Sequence, residues 1–151
     1  SDNRISLITF ESTSTILSDF TNDKDVLIEK LDSIVVENGN TNYNAALKNV
    51  NSVMEGYVKE DGRDITTLFL TDGYPNEDTP NQVGAYDVLK DKYPYMNING
   101  VQYEMGKDII DDIRAISDKQ WVADQVTLNN DDGENASVLS RTLLNEIVTF
   151  R

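Results

Sequence analysis

The chain has 151 residues, 38% of them hydrophobic, which is enough for one domain with a real core and too apolar for a disordered segment. Twenty-seven acidic residues against thirteen basic ones give a net charge of −14, so the field around the molecule opposes nucleic acid and anionic lipid and favours cations or a basic partner. Cysteine and histidine are both absent, which removes disulfides, thiolate chemistry, the usual zinc ligands and the commonest general base.

The first segment, Arg4 to Phe10 (RISLITF), is dense in β-formers and reads as a strand; Ser12 to Leu17 turns back as a short second strand beside it. Thr21 or Asn22 is placed to cap a helix, on which Val26, Leu27, Leu31 and Ile34 recur at three- and four-residue spacing. A polar loop, ENGNTN, follows. Beyond it Ala46, Leu47, Val50, Val53 and Met54 mark one face of a second helix, which ends near Gly56.

After the turn KEDGRD, the run Ile65 to Thr71 (ITTLFLT) lacks clean alternation, as a strand buried on both faces of a parallel sheet does. Thr79-Pro80 looks like a cap with a first-turn proline, opening a helix through Val83, Tyr86 and Leu89. GVQYEMG alternates at Val101, Tyr103 and Met105 and predicts a strand; Ile109, Ile110, Ile113 and Ile116 make the next helical stripe. QWVAD predicts a short strand, and Leu139, Leu143, Leu144 and Ile147 a last helix.

The order β-β-α-α-β-α-β-α-β-α predicts a three-layer α/β domain, doubly wound on a mostly parallel sheet with one short antiparallel edge strand. Ligands of such sheets bind at the carboxyl ends of the strands, where the loops GNTNYN and TDGYPNED are expected. Asp72 follows Leu68, Phe69, Leu70 and Thr71 directly, and a carboxylate entering an apolar region needs a hydrogen bond, an opposite charge or a metal. On local sequence alone a turn or capping role is the favoured reading of Asp72. Thr41 has the same double reading: it or Asn42 caps the second helix, or its hydroxyl is a hard-oxygen ligand for Mg²⁺.

Taken together, the passage from Asp2 to Val50 with GNTNYNAAL, followed by DITTLFLTDGYPNED, resembles the von Willebrand factor type A domain family, and the likeness extends more loosely to about Val148. The resemblance implies one such domain over residues 1–151, with a metal-ion-dependent adhesion site in which Thr41 supplies the threonine and Asp72 the second-loop aspartate. Gly73 and Asn42 fall on the neighbouring positions. It implies Mg²⁺ as the ion, with Mn²⁺ or Ca²⁺ possible, and a protein or matrix partner whose carboxylate completes the shell. Binding rather than turnover, at a bacterial surface or pilus as in Gram-positive adhesins, is the activity implied; a structural or assembly domain without a functional ion site is the alternative.

The family's first strand, with its Asp-x-Ser-x-Ser loop and following helix, has no counterpart in this sequence, so the fold is expected to be incomplete at its N-terminal side. That strand would sit in mid-sheet, and deleting it would expose backbone groups, so the segment is expected upstream or from another chain. Ser1 to Arg4 begins no signal peptide, and no apolar run approaches the roughly 20 residues of a membrane span. Catalytic motifs for hydrolases, zinc proteases and phosphate-loop enzymes are missing. Asn129 to Asn135 is an acidic stretch that reads as a solvent turn, without the ligand spacing of a calcium loop. Asn135-Ala136-Ser137 fits a glycosylation acceptor in form alone.

Overall fold

A computed structural model describes residues 3–35, 39–77, 81–102 and 109–122. The elements are β1 (Ile5–Phe10), β2 (Ser14–Thr21), α1 (Lys24–Asp32), α2 (Tyr43–Glu55), β3 (Ile65–Thr71), α3 (Gln82–Lys92), β4 (Met96–Gln102), α4 (Ile110–Arg114) and β5 (Lys119–Val122). The class is α/β, with an antiparallel pair β1-β2 and a three-stranded sheet ordered β3-β4-β5 in which β4 and β5 run parallel. The expected cap at Thr79-Pro80, the residues Tyr103 and Met105, and the last helix lie outside the described residues. So do the stretch from Asn129 and the glycosylation triplet. Among the described residues no helix is long and apolar enough to cross a membrane.

The chain divides into two compact units, one built from Ser1–Thr67 with Tyr74–Asn97, the other from Leu68–Gly73 with Ile98–Arg151. In the first, β1 and β2 pair through Ile8↔Ile16, Thr9↔Thr15 and Phe10↔Ser14, joined by a tight turn in which the Glu11 amide donates to the Thr13 carbonyl (2.8 Å). The second strand is longer than expected: it continues through Phe20 to Thr21, with register irregularities between Ile5 and Ile8 on its partner.

α2 is the centre of this unit. Ala46, Leu47, Val50, Val53 and Met54 are buried along it, as their spacing predicts, and so is Tyr43; the helix packs on α3, β1 and β2. Phe10 meets Tyr43 edge-to-face with ring centroids 6.2 Å apart, and Asn49 Nδ2 donates to Ser14 Oγ (2.9 Å), tying helix to hairpin. The Asn42 side chain caps α2 by accepting from the Ala45 amide (2.9 Å), satisfying a first-turn donor that the helix itself cannot.

α1 departs from expectation twice. Its cap is Asp23, whose Oδ1 accepts from the amides of Asp25 (3.0 Å) and Val26 (3.2 Å), not Thr21 or Asn22. Thr21 instead accepts from the Asp23 amide (3.1 Å), bracing the residue that caps. More important, the apolar face buries no residue: Val26, Leu31 and Ile34 are 37%, 50% and 41% exposed. On α3, Leu89 is buried but Val83 is exposed, so that stripe too is only partly used.

The second unit holds the parallel pair β4-β5, in register Asn99↔Lys119 through Gln102↔Val122. α4 lies over the pair; Ile109, Ile113 and Ile116 are fully buried, as the isoleucine stripe predicts. Gly100 permits this closeness, because a Cβ there would lie 2.1 Å from Ile113 Cγ2. Asp118 clamps the start of β5 to β4: its Oδ2 accepts from the Ile98 amide (2.7 Å) and its own amide donates to the Ile98 carbonyl (2.7 Å). β4 starts at Met96, earlier than the alternation around Val101 predicts.

Candidate metal site

Three loops of the first unit meet around Thr41. They are the β1-β2 turn (Glu11 to Thr13), the approach to α2 (Gly39 to Asn42) and the segment after β3 (Tyr74 to Glu77). Three consecutive amides of the approach are each tied to a different place. The Asn40 amide donates to Ser12 Oγ (2.9 Å), the Thr41 amide to Asn76 Oδ1 (2.7 Å), and the Asn42 amide to the Glu11 carbonyl (2.8 Å).

Further bonds run back across the same junction. The Thr41 carbonyl accepts from the amides of Asn76 (3.0 Å) and Glu77 (3.4 Å). Asn40 Nδ2 donates to Glu77 Oε1, and Asn42 Nδ2 to the Ser12 carbonyl (3.1 Å). Gly39 passes so near Glu11 that a Cβ would fall 1.5 Å from the Glu11 carboxylate. Residues just before a helix cap have no intrahelical partners, and here long-range loop contacts supply them.

Both peptide groups flanking Thr41 are therefore committed, whereas the hydroxyl of this partly buried residue makes no hydrogen bond to any described residue. The sequence alone did not single out Glu11, Ser12 or Asn40. Nothing local marks them, because their partners lie 28 to 37 residues away in the chain.

Asp72 belongs to the second unit. It leaves β3 in a narrow turn, with the Gly73 amide donating to Thr71 Oγ1 (3.3 Å) and that hydroxyl donating to the Gly73 carbonyl (3.4 Å). The residue is exposed, so the expectation of a carboxylate entering an apolar region is corrected: no burial penalty at Asp72 demands an ion. Among the described residues, no three acidic side chains come together as a metal cluster. Mg²⁺ takes six oxygens in near-octahedral array and keeps several waters. A threonine hydroxyl and an aspartate suit that ion in kind, but not in number.

The model of the von Willebrand factor type A domain family matches residues 1–74. Among solved structures, the VWA domain of SpRpn10 is 13% identical with a TM-score of 0.63, the match covering 81% of this chain and 65% of that one. The vWF domain of the type V pili tip protein Mfa5 from Porphyromonas gingivalis is 11% identical with a TM-score of 0.65, covering 95% and 80%. Proximal thread matrix protein 1 of the mussel byssus, with a zinc-occupied MIDAS motif, is 16% identical with a TM-score of 0.66. That match covers 80% of this chain but 32% of the byssus protein. The chain thus spans just under two thirds of the SpRpn10 chain and about a third of the byssus protein. No curated protein matches the sequence. The chain has the von Willebrand factor type A domain fold, and its first 74 residues carry the match to that family.

Proposed function

We propose that this chain is a metal-ion-dependent binding module of the cell surface, in which Thr41 and Asp72 hold Mg²⁺. The observation that carries the proposal is the Thr41 loop, whose backbone is fully engaged while its hydroxyl is left without a partner among the described residues. When bound, the ion would supply a positive centre for a carboxylate of a protein or matrix partner. The chain's own part is to hold the hydroxyl and the carboxylate ready, and no turnover is involved. The zinc-occupied motif named for the byssus protein supports the ion reading, and the pilus tip protein supports a surface location.

Two protein oxygens do not complete a site, so the remaining donors come from an Asp-x-Ser-x-Ser loop on a strand outside this sequence, upstream or on another chain. Among the described residues no three acids converge, which favours a second reading, a structural or assembly domain that does not use an ion.

Mn²⁺ titration of the full natural polypeptide, followed by electron paramagnetic resonance, tests the first reading. Thr41→Ala and Asp72→Ala should each weaken binding by at least about tenfold, the lower end of the loss typical when a metal site is disturbed. Binding equal to that of the natural chain in both variants would establish the structural reading instead.

A further inference from the structure

We infer that Asn76 is a positioning residue for Thr41, holding the loop whose hydroxyl is offered to the ion. The inference rests on the proposed metal role of Thr41. Asn76 grips one residue at both ends: its Oδ1 accepts from the Thr41 amide (2.7 Å) and its own amide donates to the Thr41 carbonyl (3.0 Å). Such a two-point contact fixes the orientation of the Thr41 backbone, and with it the direction of the Cα–Cβ bond that carries the hydroxyl. The neighbouring amides of Asn40 and Asn42 are held by the β1-β2 turn instead. Asn76 alone supplies a side-chain acceptor to Thr41 among the described residues.

The latch also has a direction. Asn76 follows the Asp72 turn in the chain, so the segment that leaves the strand end is the one that sets the threonine. Glu77 seconds it, accepting from Asn40 Nδ2 while its amide approaches the Thr41 carbonyl at 3.4 Å. Asn76 is itself exposed, so its bonds contribute little to the core and much to local geometry. Residues that orient a ligand by hydrogen bonding, without touching the ion, shift metal affinity by about 10- to 100-fold when removed.

Two measurements on the full natural polypeptide test this. In metal-free protein, amide hydrogen exchange at Thr41 should accelerate in Asn76→Ala and return toward the natural rate in Asn76→Asp, whose carboxylate still accepts from that amide. Mn²⁺ affinity should fall about tenfold in Asn76→Ala and recover in Asn76→Asp. Natural Mn²⁺ affinity in Asn76→Ala, while Thr41→Ala binds weakly, overturns the positioning role and leaves the metal reading standing. Equal losses in both Asn76 variants overturn it as well, since the acceptor would then be immaterial. Undiminished binding in Thr41→Ala and Asp72→Ala defeats the metal reading beneath it.

Discussion

α1 and α2 belong to the same unit, follow one another in the chain, and are both capped by a side-chain oxygen, yet one buries seven residues and the other none. Their sequences do not announce this difference. Val26, Leu27, Leu31 and Ile34 repeat with the same period as Leu47, Val50 and Met54. Periodicity states that a helix has an apolar face; it does not state what that face meets. α2 meets two strands and a second helix, whereas α1 makes lighter contact with the hairpin. The hairpin has the same character, for no residue of β1 or β2 is buried, and a two-stranded sheet is marginal by itself.

The sharpest way to break the comparison is to truncate one leucine on each helix. Leu47 is fully buried, and Leu47→Ala should cost about 2–5 kcal/mol through lost burial and the cavity left behind. Leu31 is half exposed, and Leu31→Ala should cost less than about 1 kcal/mol, in line with partly exposed positions. Urea unfolding of both variants decides the matter. A Leu31 variant as damaged as the Leu47 variant would mean that α1 is covered in solution, and the contrast would vanish.

A smaller effect is expected at the caps, where the two helices should again part. Asn42→Ala removes the acceptor for the Ala45 amide and also the donor to the Ser12 carbonyl, so it loosens both helix and loop junction. A cost of about 1–2 kcal/mol is expected, the upper half of the range for caps. Asp23→Ala removes a cap from a helix that contributes little to the core, and about 0.5 kcal/mol is the expected loss. Equal losses at the two caps would show that α1 matters to stability as much as α2 does.

Much of this molecule was legible from sequence because much of it rests on local chemistry. β3 was read with its observed ends, since Ile65 to Thr71 is an unbroken run of β-formers between turn signals. α2 was read from its apolar stripe and a cap at Thr41 or Asn42, of which Asn42 is the one observed, and α4 from its isoleucines. β4 was read four residues late because Asn97, Asn99 and Gly100 depress the strand signal in its first half, although Asn99 is buried. At the candidate site, the resemblance to the family pointed to Thr41 and Asp72, where residue type alone left a cap or a turn open. The junction that fixes Thr41 was hidden, because hydrogen bonds from Asn40 to Ser12 and between Thr41 and Asn76 join loops that share no local pattern. The supposed burial of Asp72 failed for a related reason: an apolar strand before a carboxylate does not tell where the chain turns into water.

The smallest predicted effect concerns a charge contact between the start of the hairpin and the turn after α2. Arg4 precedes β1 and Glu60 lies in the turn after α2; Arg4 donates to Glu60 Oε1 (2.6 Å), and Arg63 Nε lies 2.7 Å from the other oxygen. The hydrogen bond from Arg4 is the main reason that the Glu60 carboxyl is held below the usual carboxylate range, with the Arg4 and Arg63 charges adding to it. A carboxylate whose folded-state value is depressed contributes stability that is present above its unfolded value and is lost as pH falls through the folded one. Glu60→Gln should therefore lower the urea midpoint slightly near neutral pH, and the gap from the natural chain should close on acidification through the ordinary glutamate range and below. Because the pair is at the surface, added salt should narrow the gap at neutral pH as well. Midpoints that run parallel from neutral to acid pH would show that the contact does not hold β1 to the end of α2, and would leave the hairpin tied to the helix by Phe10, Tyr43 and Asn49 instead.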